Sequence, residues 1–214
     1  SVFPMNVKQV IISILVAVVL NSCNSANTKQ QTNKEDAGLQ GGQGDTVKPG
    51  TDYLALGKSI ATETQAVLAK NLMGAINKGR TEYALAFCNT NAPKLTDSMA
   101  HALNAGIKRV SDKPRNAGNQ ANEIELAYIQ VLKGKMAKGE HLEAKMNEIE
   151  GKMVGFYPIV TNQMCLQCHG KAEVNIKAAT LQKINKLYPA DKATGYADEE
   201  LRGLWVIEMD RKLN

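Results

Sequence analysis

The chemistry of this chain is concentrated in Cys165-Leu166-Gln167-Cys168-His169-Gly170. Two thiols separated by two residues and followed at once by an imidazole form the attachment pattern of a c-type haem. In that chemistry each thiol adds across a vinyl group of the porphyrin, and the adjacent histidine ligates the iron from below. The two-residue gap sets the sulfurs at the separation of the vinyls, and His169 next to Cys168 places its ring under the macrocycle. A Cys-x-x-Cys pair also serves thiol redox exchange, half of a zinc site, or a structural disulfide. Zinc needs two more ligands, and no second Cys/His pair stands at ligand spacing. A redox pair belongs in a thioredoxin-like βαβ setting, which the residues around 165 do not suggest.

Two further cysteines complete the set of four. Cys23 follows a lysine and an apolar run from Val10 to Leu20, in the order Leu20-Asn21-Ser22-Cys23. Eleven residues match the hydrophobic part of a signal peptide. They fall short of the roughly 20 needed to span a bilayer. A cysteine directly after such a run resembles a lipobox, in which cleavage exposes Cys23 for acylation; ordinary signal cleavage with Cys23 incidental is the alternative. Either route puts the mature chain outside the cytoplasm, facing the periplasm or the cell exterior, with the lipid giving a membrane anchor. Cys88 is then the one thiol left over. It is either a small buried hydrophobe on a helix face or a second axial ligand to iron. His101, His141, Met99 and Met153 remain candidates for that sixth position, whereas Met164 is too near His169 in sequence to reach the opposite face.

These residues need a scaffold. We divide the chain into a signal peptide over 1–22, a lipidated cysteine and flexible tether over 23–52, and a folded domain over 53–214. The tether is polar and carries five glycines and a proline between Gly38 and Gly50, too little apolar surface to offset its ordering entropy. The remaining 160 or so residues suffice for a single core. Net charge is +5 with scattered lysines, and three Phe and one Trp leave little for base stacking. A nucleic-acid partner is therefore not expected.

Apolar steps of three, four and seven residues predict a helix from Tyr53 to Lys78, ended by Gly79. A second helix begins near Thr81, with Ala84, Cys88, Ala92, Leu95 and Met99 on one face and a kink or break at Pro93. Ile107 to Val110 reads as a strand and Ser111 to Gln120 as a loop. Asn122 with Glu125 forms a capping box for a helix reaching about Ala137. His141–Ile149 and Lys152–Val160 flank Glu150-Gly151 as a hairpin. A helix from about Val174 to Leu187 and a strand over Gly203–Met209 follow the cysteine motif. Helices first and antiparallel strands last predict an α+β domain.

Several blocks together resemble a known family, the c-type haem domains with a PAS-like fold that were first catalogued as a domain of unknown function. They are Phe87-Cys88 with Ala92-Pro93, Arg109-Val110-Ser111 leading to Arg115-Asn116 and Asn119, and Glu125 in the next helix. The cysteine motif, Tyr188-Pro189-Ala190-Asp191-Lys192-Ala193-Thr194-Gly195-Tyr196 and Arg202-Gly203 complete the set. They run in the family's order over about residues 55–210. Ala117 stands where the family has proline, and Glu199-Glu200 replace a Gly-Asp pair. The resemblance implies N-terminal helices packed on a small antiparallel sheet and a single covalent haem c. Cys165 and Cys168 would hold the porphyrin, His169 would be the proximal ligand and Cys88 the distal thiolate. Arg109, Arg115 and Asn116 would lie at the haem edge, where a guanidinium suits a propionate. Tyr188, Asp191 and Tyr196 would shape the loop beside the motif.

An iron held by histidine and thiolate has no open position, and thiolate donation favours the ferric state. No paired carboxylates, Ser/His/Asp set or phosphate-cradling loop suggests another active site. The chain is therefore expected to be no enzyme, but a redox- or gas-responsive sensory module that passes its signal to a separate protein. The alternative is a membrane-tethered electron-transfer cytochrome, and peroxidase turnover would require an open distal site.

Overall fold

A computed structural model describes residues 50–211. The expected signal peptide, Cys23 and nearly all of the expected tether lie outside the described residues. Among those described, no helix is long and apolar enough to cross a membrane.

The first element, α1 (Tyr53–Ala102), starts where Asp52 accepts a hydrogen bond from Ala55 N at 2.9 Å. This satisfies one of the orphan donors of the first turn. The helix is broken at Gly79 and Arg80, the latter at φ 60°, so two arms meet there. Left-handed backbone at a non-glycine residue costs about 1–3 kcal/mol and is held only by the packing around it. The stop at Gly79 matches the sequence expectation; the break at Pro93 does not occur. Helical angles run from Thr81 to Ala102 through Pro93. Losing one backbone donor at Pro93 is outweighed by the burial of Ala84, Leu85, Ala92 and Thr96 on the same arm.

Then come β1 (Gly106–Val110), a 3-10 turn over Ala117–Asn119, α2 (Glu123–Ala137), β2 (Lys145–Ile149) and β3 (Lys152–Val160). The chain continues with α3 (Gln163–His169), α4 (Ala178–Leu187) and β4 (Leu201–Asp210). The capping box at α2 is present in both halves, Asn122 Oδ1 taking Glu125 N and Glu125 Oε2 taking Asn122 N. Glu150 and Gly151 both have positive φ, 51° and 77°. That is the signature of a two-residue hairpin turn whose twist matches the strands. Strand β1 starts one residue earlier than expected and β4 (Leu201–Asp210) outruns the expected Gly203–Met209 at both ends, while two boundaries shift by four residues. The second strand starts at Lys145, not His141, and α4 starts at Ala178, not Val174. Carbonyl 171 accepts from the amides of Val174, Asn175 and Ile176, which closes a turn in place of the first helical turn.

The four strands form one antiparallel sheet in the order β1-β4-β3-β2. Central β4 is buried on both faces because helices cover both. Leu204 and Val206 pack with Ile129 and Leu132 of α2, while Trp205 and Ile207 pack with Ile60 and Ala61 of α1. Two glycines allow close approach. A Cβ at Gly57 would lie 2.2 Å from Tyr157 Oη, which donates to Leu54 O at 2.9 Å and pins α1 to β3. A Cβ at Gly203 would lie 2.2 Å from Val110 O, so β4 reaches β1 only with glycine there. This is the α+β architecture expected, and it leaves both arms of α1 and the short helix α3 beside the sheet to enclose a cavity.

Candidate cofactor site

Strand β3 delivers the cysteine motif. Thr161, 3% exposed, donates to Ala197 O at 2.7 Å and accepts from Glu200 N at 2.9 Å, which ties the strand end to the loop before β4. Asn162 Oδ1 then caps α3, accepting from Met164 N at 3.0 Å and Cys165 N at 3.2 Å. Within the seven-residue helix, Cys165 and Cys168 fall three positions apart and so share a face. His169 closes the element.

The loop after α4 grips this short helix. Gly195 N donates to Gly170 O at 2.8 Å, and Tyr196 N to His169 O at 2.9 Å. His169 Nδ1 lies 2.8 Å from Ala193 O. A carbonyl can only accept, so Nδ1 carries the proton and Nε2 keeps its lone pair. Burial, with the positive charges of Arg115 and Arg202 behind it, holds the imidazole pKa well below its ordinary value. The Ala193 hydrogen bond opposes this shift. His169 is thus a neutral ring with one nitrogen fixed and the other available to a ligand, and Tyr196 meets it edge-on at 6.4 Å.

Arg115 organises the loop. It donates from Nε to Asp191 Oδ1 at 3.0 Å and from Nη2 to Asp191 Oδ2 at 3.2 Å, with side chains only 11% and 7% exposed. The same Nη2 reaches Cys168 O at 2.7 Å, and Asp191 Oδ1 accepts Ala193 N at 3.1 Å. One buried ion pair therefore connects the motif helix to the residue whose carbonyl orients His169.

A cavity of about 530 Å³ opens in front of these groups, within the usual range for small-molecule sites. Cys88 lines it from the second arm of α1, and Leu68, Leu72 and Ile76 line it from the first. Those three apolar residues face this space, which is why the helix that carries them is only half-buried along that side. Cys165, Cys168, His169, Arg109, Arg115 and Asn116 all border the same cavity. Burial raises the Cys88 thiol pKa, and Arg109 and Arg115 pull it back. Cys168 is pushed up to about 11, by burial above all.

Cys88, Cys165 and Cys168 are all free thiols, so the structure pairs none of them as a disulfide. Among the described residues no three His, Cys, Asp or Glu side chains converge tightly enough to hold a bare metal ion. Of the other sixth-ligand candidates, His101 and His141 are exposed and Met153 packs in the core around Trp205. Met99 does not border the cavity, whereas Met164 does. Two of the expected cavity residues also hold protein partners: Arg115 binds Asp191 and the Cys168 carbonyl. Asn116 turns its Oδ1 to Gly118 N at 3.1 Å, capping the 3-10 turn. Arg202 and Trp205, to which the sequence reading gave no site role, also line the cavity. The Ala193 carbonyl was invisible to residue-type reasoning because any residue supplies a backbone acceptor.

Fold and site together define an α+β binding domain whose cavity is walled by three thiols, one oriented neutral imidazole and three guanidinium groups. The Tll0287-like family model matches residues 16–209, and the chain belongs to that family. Among solved structures, the crystal structure of the cyanobacterial heme-protein Tll0287 is similar, with a TM-score of 0.53 at 22% identity. The likeness covers 77% of this chain and 99% of that one. No curated protein matches the chain.

Proposed function

We propose that this chain is an exported, lipid-anchored haem c protein with a PAS-like domain, acting as a redox- or gas-responsive sensory module. The observation that carries the reading is the meeting of Cys165, Cys168, His169 and Cys88 at one cavity, with His169 Nε2 left free by the Nδ1 contact to Ala193. The residues fit the group. A fixed acceptor for its other ring nitrogen, here Ala193 O, is what an iron-ligating histidine normally has, the neutral ring is the ligating form, and apolar residues of α1 supply the wall a porphyrin needs. Bound haem would supply an iron centre able to change oxidation state and to exchange a ligand.

The chain's own residues do the rest. Cys165 and Cys168 would hold the porphyrin through thioethers, each S–H adding across a vinyl with its hydrogen going to the neighbouring carbon. His169 presents its lone pair, and Cys88 presents sulfur from a different element. His169 and Cys88 would each be available to ligate the iron, and on that reading we assign the chain no enzymatic turnover.

Sensing is favoured over simple electron transfer by where Cys88 sits. Its helical arm begins at the strained Gly79–Arg80 break, a ready hinge. That arm is coupled to α4 through Thr81 Oγ1 and Thr180 Oγ1 at 2.6 Å and through Leu85 against Ile176, Ile184 and Tyr188. A change at Cys88 would therefore be carried to the surface of α4, where a separate signalling protein could read it. Hydrogen exchange of the oxidised and reduced holoprotein tests this. Reduced protection over 81–102 and 178–187 on reduction supports sensing. Identical protection with fast electron exchange would make the protein a carrier.

A further inference from the structure

Helix α2 faces the sheet with Glu125, Ile129 and Leu132 and turns its other side to solvent. On that outer side Ile124 and Val131, about two turns apart, are 52% and 54% exposed. Exposed Ala127, Gly134 and Ala137 continue the strip, and Gln130 is the one polar side chain within it. Scattered apolar residues are normal on a surface, but a continuous apolar strip marks a contact. Gly134 fits that reading. Glycine inside a helix is less stable than alanine, and a Cβ there would meet nothing within 4 Å, so the described residues give no packing reason for it.

Charge marks the two ends of the strip. Glu123 lies at its start and forms no ion pair among the described residues. Lys138, just past its end, is paired only with the exposed Glu140, at 3.9 Å. Lys133 and Lys135 of the same helix are already paired with Asp112 and Glu143.

We infer that the outer face of α2 binds a second copy of this chain, with the two helices antiparallel about a two-fold axis level with the midpoint of Gln130 and Val131. Residues equidistant from that midpoint then lie level with each other. Ala127 meets the partner's Gly134, whose missing side chain lets the backbones approach closely, and Val131 meets its own counterpart beside the axis. Glu123 lies level with the partner's Lys138, and the symmetry makes that pairing twice. A parallel pairing would set Glu123 beside Glu123 and Lys138 beside Lys138, where like charges repel. The contact uses the same patch on both copies, so it closes at two. A standard stable interface buries about 800 Å² on each partner, more than the face of one 15-residue helix supplies. The dimer is therefore weak and forms where the chain is concentrated, as the proposed lipid anchor would make it. The inference does not depend on the haem reading, because α2 contributes no residue to the cavity and covers the sheet face opposite Trp205.

Thiol cross-linking of the full chain under mild oxidation tests the register, with wild type setting the background. Val131→Cys should cross-link by itself, since its two copies differ by about 1.5 Å along the axis. Ala127→Cys and Gly134→Cys should each fail alone, their like copies being about 10 Å apart along the axis, yet a mixture of the two should cross-link. Sedimentation over a concentration range tests the energetics. Val131→Lys brings two like charges together at the axis and should weaken association at least about tenfold. Glu123→Lys and Lys138→Glu should each weaken it about threefold to tenfold, and the double variant should recover wild-type association, which separates lost pairing from lost folding. A chain that stays monomeric and leaves Val131→Cys uncross-linked overturns the inference and frees this face for a different protein. Cross-linking of Ala127→Cys with itself would mean parallel helices, and a dimer indifferent to Val131→Lys would lie elsewhere on the surface; either result refutes the antiparallel α2 contact.

Discussion

Asp191→Asn removes one charge and almost no volume from the loop that orients His169. In the native structure the carboxylate takes two hydrogen bonds from Arg115 and one from Ala193 N, and both charged side chains are nearly buried. The amide can keep the Ala193 contact through its oxygen, but it turns an N–H₂ donor toward a guanidinium that has only donors. Removing one partner of a buried pair costs about 3–5 kcal/mol, mostly through the charge left behind. For a domain of this size each kcal/mol lowers Tm by about 2–4 °C, so a loss of about 6–20 °C is expected in the holoprotein. The pair is coupled, so Asp191→Asn with Arg115→Met should recover much of that loss, because neither half then remains uncompensated. Thermal unfolding of wild type, both single variants and the double variant gives the coupling energy. The iron–histidine stretch should move in the single variants too, since Ala193 O is released from its mooring. If Asp191→Asn lies within about 1 kcal/mol of wild type, or the two effects simply add, the pair does not hold the loop.

Four further outcomes are expected. Haem should stay with the denatured chain under acid–acetone extraction, and Cys165→Ala with Cys168→Ala should release it; free extraction from wild type would refute thioether attachment. Cys88→Ala should abolish the low-spin sulfur signature, admit added imidazole and raise the reduction potential, because a negative donor is lost; an unchanged spectrum would return Cys88 to a packing role. In the haem-free chain the depressed pKa of His169 means the unfolded state takes up a proton first as pH falls. The stability this gives is therefore complete above about pH 6.5 and declines below it by up to about 1.4 kcal/mol per pH unit relative to His169→Gln, and parallel curves for the two chains in urea unfolding would contradict it. Finally, the wild type should partition into membranes with acyl mass on Cys23, whereas Cys23→Ser should be soluble or kept as precursor; an unmodified N-terminus elsewhere would exclude acylation.

Some of this protein is legible in its residues alone because the interactions involved are local. The Asn122/Glu125 capping box, the stop at Gly79 and the Glu150-Gly151 turn each depend on backbone groups within a few positions. The unbroken apolar run Leu204–Ile207 in β4, and with it the α+β class, follows from the need to cover both faces of a central strand. The spacing of Cys165, Cys168 and His169 likewise needs only one helical turn to place them on a common side. Other features were settled between distant segments. Pro93 does not break its helix because burial of that arm outweighs one missing hydrogen bond. The turn after residue 170 delays α4 to Ala178 because carbonyl 171 gathers three amides. Above all, the roles of the arginines could not be read from type or spacing. A guanidinium serves equally well as a strut or as an anion receptor, and only the position of Asp191, brought 76 residues along the chain to Arg115, decides which it becomes. Charge is written in the sequence, but compensation of charge is a distance, and distances between remote residues exist only in the folded chain.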